Sequence, residues 1–352
     1  MILFFIILLI AAAVVENQSL KNGFEHIEVS RRFSRALLEE GESMELVVTI
    51  RNKSRWYIPY IRMEQTLPEH MTSHVPKKDR YEDVHNRMGV RQNIWLRPRE
   101  AVEKRIPVTV ERRGRYLLED IRLYAGDFLG RKETRKTFTM YTEAVVYPKA
   151  GDLPSYHVKE GGLMGEISTN RFLNEDPVLT LGFREYTGRE PMKAISWHQS
   201  ARMGRLMVKN FDHTLRPMVT VVLNNDPDVP DEDREASYAL TRRICDDLER
   251  QGIQFDFYSN AILAGSFQKN CYVSEGLGRA HQRVIYEELG RATPDTYRTF
   301  QRMIKDIARG TAGRSIMLVD PCADAEQERK AVFAFRSAGS KCQVFHPKGG
   351  SQ

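Results

Sequence analysis

The chain has 352 residues, 41% of them hydrophobic, and a formal net charge of +6. That length and apolar content are enough for two ordinary cores and exclude a disordered chain. Acidic and basic residues are interleaved almost everywhere, which gives a solvated mixed-charge surface with no stripe dense enough for a nucleic-acid backbone, so no nucleic acid is expected as a partner.

Residues 1–15, MILFFIILLIAAAVV, carry no charged or polar side chain. At 1.5 Å per residue the run spans about 22 Å, short of a hydrocarbon core about 30 Å thick, so residues 16–20 would complete a crossing near the headgroups. A secretory signal wants basic residues ahead of its apolar run and a small-residue cleavage site; no Lys or Arg precedes this one, which favours an anchor. Lys21, Arg31, Arg32 and Arg35 follow the run and place the rest of the chain in the cytoplasm by the positive-inside rule. The expectation is a single-pass anchor in the cell membrane over residues 1–20.

Residues 21–150 read as a β-sandwich domain. Met44, Leu46, Val48 and Ile50 alternate with Glu45, Val47, Thr49 and Arg51, and Ile106, Val108 and Val110 repeat the arrangement. Turn signals at Glu40-Gly41, Asn52-Lys53-Ser54, Arg97-Pro98 and Arg113-Gly114 separate short strands, the spacing of an antiparallel sandwich. The basic turn from Glu111 to Tyr116 reads as a charged hairpin in water, with anionic lipid or a partner as the alternative.

Residues 151–216 form a connector with a distinctive order of residue types: Arg184, Tyr186, Glu190-Pro191, Lys193, Ile195, Trp197, Ser200-Ala201-Arg202, Leu206, Val208. Pro191 suits the first turn of a helix and Glu190 sits where a cap is needed, which predicts a short helix over 193–201 with Ile195 and Trp197 facing inward. Arg184, Tyr186, Arg189, Glu190, Lys193, Trp197 and Arg202 are the candidate partner-binding surface or interdomain clamp, since Arg, Tyr and Trp dominate docking hot spots. Ser200 and His198 have no acidic orienter or oxyanion-type Gly turn, so no catalytic residue is assigned.

From residue 217 the pattern changes to alternating strands and helices. The continuous apolar run 218–223 predicts a buried parallel strand, followed by a helix over 232–251 stopped by Gly252, a strand over 253–258, helices over 279–289 and 295–308, a strand over 315–319, a helix over 324–337 and a strand over 342–345. Cys245, Cys271, Cys322 and Cys342 lack metal-ligand spacing and read as reduced thiols. No phosphate loop occurs, and Gly276-Leu277-Gly278 lacks the rest of a dinucleotide fingerprint.

The segment from Arg184 to Val208 resembles the signature of the domain of unknown function family fifty-eight (DUF 58), whose usual form reads Arg-x-Tyr-x-Pro-Gly-Asp, then Arg-x-Ile-Asp-Trp, then Ser-Ala-Arg. This chain departs from it at Gly188-Arg189, Glu190, Lys193 and Ser196. The resemblance implies a C-terminal von Willebrand factor A-like domain and a MoxR-type AAA+ ATPase as protein partner. Such domains often hold Mg²⁺ on an Asp-x-Ser-x-Ser loop after the first strand together with a later Thr and Asp. Here the loop reads Asn224-Asn225-Asp226-Pro227-Asp228, with both serines missing, while Asp320 matches the later Asp. No metal or cofactor is assigned; Asp226, Asp228 and Asp320 are the remaining candidates, with Mg²⁺ as the ion.

The expected fold class is therefore multi-domain: an N-terminal membrane helix over 1–20, an antiparallel β-sandwich over 21–150, the signature connector over 151–216, and an open α/β sheet of von Willebrand factor A-like, Rossmann type over 217–352. The expected function is a membrane-anchored, non-enzymatic adaptor or scaffold with cytoplasmic protein-interaction domains. A divalent-metal-dependent hydrolase at the carboxyl end of the C-terminal sheet is the alternative.

Overall fold

The computed structural model describes residues 25–126, 133–150, 175–186, 195–213, 218–266, 271–322 and 324–347. The chain divides into two units. The first holds Met1–Gly151 together with Ala261–Cys271 and Arg283–Tyr297; the second holds Asp152–Asn260, Tyr272–Gln282 and Arg298–Gln352. The α-helices among the described residues are α1 (Trp197–Met203), α2 (Asp231–Arg250), α3 (Arg279–Arg291), α4 (Phe300–Gly310) and α5 (Ala325–Ser337).

In the first unit, period-two sequences build two sheets whose apolar faces share one core. One sheet has the order β1-β3-β8-β5, with β1 (Ile27–Phe33), β3 (Ser43–Asn52), β5 (Met71–Ser73) and β8 (Ala101–Val110) all antiparallel. The other runs β2-β10-β9-β4-β7-β6, from β2 (Leu37–Glu39), β4 (Ile58–Thr66), β6 (Arg80–Glu82), β7 (Met88–Leu96), β9 (Gly114–Gly126) and β10 (Glu133–Tyr147). Met44, Leu46, Val48, Ile50, Ile106 and Val108 from the first sheet pack with Ile61, Met63, Ile121 and Leu123 from the second. Burial of these side chains, at about 1.5–3 kcal/mol each, is the main force closing the sandwich.

A cation lies in that interior. The β9/β10 ladder shifts register between Thr139 and Thr142, a bulge that frees carbonyls from pairing. Arg31 of β1 donates to the carbonyls of Leu118 (2.7 Å), Glu119 (3.3 Å), Asp120 (3.4 Å) and Met140 (2.5 Å), and to Thr142 Oγ1 (3.0 Å) and Gln65 Oε1 (2.5 Å). Burial pushes its pKa down to about 10, so it remains charged at neutral pH.

Two stretches from the C-terminal half complete this unit. β15 (Ala261–Leu263) pairs antiparallel with β17 (Ala292–Thr296), and the end of α3 lies against β10. A Cβ on Gly290 would stand 2.5 Å from Val145 Cγ1 and 2.8 Å from the Val146 carbonyl oxygen, so the helix approaches the strand as closely as only glycine permits. Tyr147 and Tyr286 stack with centroids 4.5 Å apart. Arg113 Nη1 donates to the carbonyls of Leu289 (3.1 Å) and Ala292 (2.8 Å), capping the helix where its backbone acceptors run out. Glu143 pairs with Arg115 at 2.8 Å and with Arg291, and Arg291 also pairs with Glu287 at 3.0 Å. Arg113 and Arg115 of the basic turn are thus engaged inside the unit, which corrects the reading of a hairpin free in water.

In the second unit, β13 (Met218–Leu223) is flanked by β14 (Gln254–Ser259) and β18 (Ser315–Val319), both parallel to it. The full order is β16-β14-β13-β18-β19, with β16 (Cys271–Gly276) and β19 (Lys341–Phe345) at the edges. Val219, Val221, Val222 and Leu223 are fully buried, as a strand covered on both faces requires. α2 buries Tyr238, Leu240, Ile244 and Leu248 on one face, and Gly252 follows at φ 69° where the helix stops. The helix expected from 295 starts only at Phe300, because Ala292–Thr296 is β17, held in antiparallel pairing with β15.

The expected N-terminal membrane helix is corrected. Strands in several sheets dominate the described residues, and no helix among them is long and apolar enough to cross a membrane. The longest, α2, is studded with Asp, Glu and Arg. Residues 1–20, on which the anchor was expected, lie outside the described residues. The transmembrane, cell-membrane and cytoplasmic assignments are withdrawn with it.

Candidate functional site

The signature segment is a two-stranded antiparallel ribbon with a helix in its connection. β11 (Glu175–Glu185) pairs with β12 (Met207–His213), Arg184 opposite Val208, and the Tyr186 amide donates to the Leu206 carbonyl at 2.9 Å. α1 stands between them and ends at Gly204, whose φ of 66° is the left-handed conformation of a helix C-terminus. Ser200 fixes the helix to the ribbon: its hydroxyl donates to the Ser196 carbonyl (2.7 Å) and accepts from the Met207 amide (2.8 Å). Both roles of the hydroxyl are taken, so Ser200 is a strut. Sequence reasoning gave it no structural role, although a Ser inside a short helix is a residue type that bonds back to the preceding turn.

The predicted site residues separate here. The helix expected over 193–201 is Trp197–Met203. Ile195 faces inward at 6% exposure, bridged to Val208, whereas Trp197 points outward at 61%, which corrects the expectation that both are buried. Ile195 has extended backbone geometry and Trp197 opens the helix, so the alternation relating i and i+2 ends at Ser196. Arg202 is exposed, and Arg205 is ion-paired with Glu185. Met203 (57%) and Leu206 (44%) are exposed beside Trp197, a grouping the sequence reading did not single out. Arg189, Glu190 and Lys193 lie outside the described residues.

The second candidate is the carboxyl end of the parallel sheet. The chain leaves β13 for β14 on one side and returns to β18 on the other, so the crevice where ligands bind open α/β sheets falls beyond the ends of β13 and β18. Asn224 and Asp320 stand at those two ends. Asn224 Nδ2 donates to Asp320 Oδ1 at 2.9 Å, and the Cys322 amide donates to the same oxygen at 3.0 Å. Beside them the Asn225 amide donates to Asn260 Oδ1 (2.7 Å), Asn260 Nδ2 to the Asn225 carbonyl (3.0 Å), and the Tyr238 hydroxyl to Asn225 Oδ1. All five side chains are at most 2% exposed. Burial raises the Asp320 pKa above the usual carboxylate range, against the lowering effect of the bonds from Asn224 and Cys322.

The metal candidates do not converge. Asp226 Oδ1 accepts from the Asp228 amide at 3.0 Å, a local turn contact, and Asp228 is exposed. Among the described residues no group of three His, Cys, Asp or Glu side chains could hold a metal ion. Asn224 also aims an N–H at Asp320, the buried carboxylate among the three candidates, placing a donor where a hard cation needs oxygens, so the residues present do not fit Mg²⁺. Among the described residues the four cysteines form no disulfide, and Cys245 and Cys271 are buried.

No family model matches the chain. It is similar to the uncharacterised protein YeaD of Bacillus subtilis (strain 168), at 24% identity over 188 residues that make up 53% of this chain and 44% of that protein. The chain thus spans less than half the length of the curated relative it matches. Among solved structures, a non-cellulosomal cohesin from Archaeoglobus fulgidus is similar at 13% identity and a TM-score of 0.24, over 34% of this chain and 91% of that one. A CARDB domain from Pyrococcus furiosus gives 12% and 0.22, over 35% and 96%. Likenesses this slight fix neither the fold nor the activity of this chain.

Proposed function

We propose that this chain is a non-enzymatic adaptor or scaffold that binds a protein partner through the signature ribbon. The carrying observation is the display of Trp197, Met203 and Leu206 within ten residues, 61%, 57% and 44% exposed, with Arg202 among them. A rigid aromatic anchor flanked by flexible apolar groups and a guanidinium is the composition of a docking hot spot. The Ser200 bonds hold the helix in place before any partner arrives, which lowers the ordering cost of association. The hydrolase alternative lacks equivalent support, since Asp226 and Asp228 do not join Asp320 in a ligand set.

By the resemblance of residues 184–208, a MoxR-type AAA+ ATPase from the same organism is the first partner to test. Titration of the full chain with that ATPase by calorimetry is expected to give binding that Trp197→Ala weakens by about thirtyfold, the scale of one hot-spot residue, with an unchanged melting temperature. Equal affinity of the Trp197→Ala chain, or no binding at all, would remove the reading.

A further inference from the structure

On the sandwich, two loops meet at one end of the β4/β7 pair and present two exposed aromatic rings with three arginines. Tyr57 (44%) and Trp95 (50%) have ring centroids 6.5 Å apart at an interplanar angle of 39°, and the Arg97 guanidinium stands 5.3 Å over the Trp95 ring. Arg55, Arg97 and Arg99 are exposed, and among the described residues their guanidinium groups form no ion pair; the nearby Glu100 carboxylate is taken up by the Arg97 backbone amide at 2.7 Å. Their neighbour Lys53 is already neutralised by Glu28 at 2.9 Å.

This arrangement is fixed from beneath. Asn52 is fully buried, and its Nδ2 donates to the Trp56 carbonyl (2.7 Å) in one loop and to the Arg97 carbonyl (3.0 Å) in the other. Its Oδ1 accepts from the Ser54 amide (2.9 Å) and hydroxyl (2.6 Å), and the Arg99 amide donates to the Ser54 carbonyl at 3.2 Å. One buried amide thus locks the two loops to each other.

Arg99 supplies an independent observation. Residues 97–100 form a turn closed by the Glu100 amide on the Arg97 carbonyl at 3.3 Å, with Pro98 second and Arg99 third at φ 58°. A turn with Pro second and positive φ third favours glycine, or asparagine, at that third place. An arginine therefore occupies the position its backbone tolerates poorly, beside two other arginines whose guanidinium groups form no ion pair among the described residues. Conformational preference opposes it there, while ligand recognition would favour it.

We propose that Tyr57, Trp95, Arg55, Arg97 and Arg99 form a binding surface for a short acidic peptide segment of a partner protein, the guanidinium groups taking carboxylates and the exposed ring surfaces taking an aromatic or apolar side chain laid against them. The cations sit on two adjoining loops, which suits a short segment; a nucleic-acid strand wants cations tracking several successive phosphates. Planar guanidinium groups pair carboxylates with two hydrogen bonds at once. This surface belongs to the sandwich, is separate in sequence from Trp197–Leu206, and its test leaves the earlier reading untouched.

The test is fluorescence anisotropy on the full chain, with a fluorescein-labelled peptide of alternating glutamate and tyrosine as one probe and an equally long labelled oligothymidylate as the other. The peptide is expected to bind, with affinity falling about thirtyfold in Trp95→Ala and about fivefold or more in Arg99→Gly. Arg99→Gly relieves the turn, so its melting temperature is expected to stay the same or rise while binding falls, which separates recognition from folding. Trp197→Ala should bind the peptide as the unaltered chain does. Absence of peptide binding, binding of the oligothymidylate alone, or full affinity in both Trp95→Ala and Arg99→Gly would overturn the proposal.

Discussion

Single buried polar groups set much of the energetics. Arg31 satisfies four backbone carbonyls around the β9/β10 bulge, so Arg31→Met would fill the space and strand those acceptors in an apolar interior. At about 1–3 kcal/mol per buried group left unpaired, with partial relaxation, the expected loss is about 3 kcal/mol of unfolding free energy, read from urea midpoints. Glu288 behaves in the opposite sense. Burial raises its pKa from 4.5 to about 7, aided by the neighbouring Glu287 charge and opposed by a hydrogen bond with Cys271 and by Arg291. A folded-state value above the unfolded one means the folded chain holds a proton that the unfolded chain has released, so stability falls as pH rises across that interval. Glu288→Gln is expected to remove that fall. Discounted for partial exposure, it should add about 1–2 kcal/mol near pH 8 and little near pH 5, which urea titrations at the two pH values would check. Asp320 carries the same sign: Asp320→Asn keeps a group that can accept from Asn224 and should flatten the pH dependence above the ordinary carboxylate range.

At the scale of elements, regular structure was the legible part and approach between elements was not. The rows Met44/Leu46/Val48/Ile50 and Ile106/Val108/Val110 are buried as their alternation implied, because the period follows from strand geometry alone. The helix read at 232–251 runs Asp231–Arg250 for a similar reason, an apolar face every third or fourth residue with Gly252 at its end. Of the signature residues, the ribbon pairing of Arg184 and Tyr186 was hidden, since pairing is a long-range choice. The direction of Trp197 was misread because a strand-to-helix junction resets the periodicity. The sequence reading set Asp226 and Asp228 beside Asp320 and did not foresee that Asn224 would turn its N–H toward that carboxylate. Gly290 lay just past the helix read over 279–289, and only the packing reveals its use. Gly290→Ala gains about 1 kcal/mol of helix propensity yet forces a methyl to 2.5 Å from Val145 and 2.8 Å from a backbone oxygen. Overpacking wins, with an expected net loss of about 2 kcal/mol and a lower melting temperature by calorimetry.

The whole molecule differs most from its linear reading in how the units are cut from the chain. Sequence alone suggested successive domains, but the sandwich unit recruits Ala261–Cys271 and Arg283–Tyr297 from far downstream, and Arg113, Tyr147 and Glu143 hold part of them there. Composition could not reveal this, because no local pattern in those stretches differs from an ordinary strand, turn and helix. A polypeptide emerging from the ribosome in order therefore cannot finish its first unit until nearly three hundred residues have been made. Until then, the strand face that later accepts Gly290 stays bare to water and to other nascent chains. Vectorial synthesis thus gives this protein a waiting period, and a chain stalled before residue 297 should be more prone to proteolysis and to chaperone capture than one released complete.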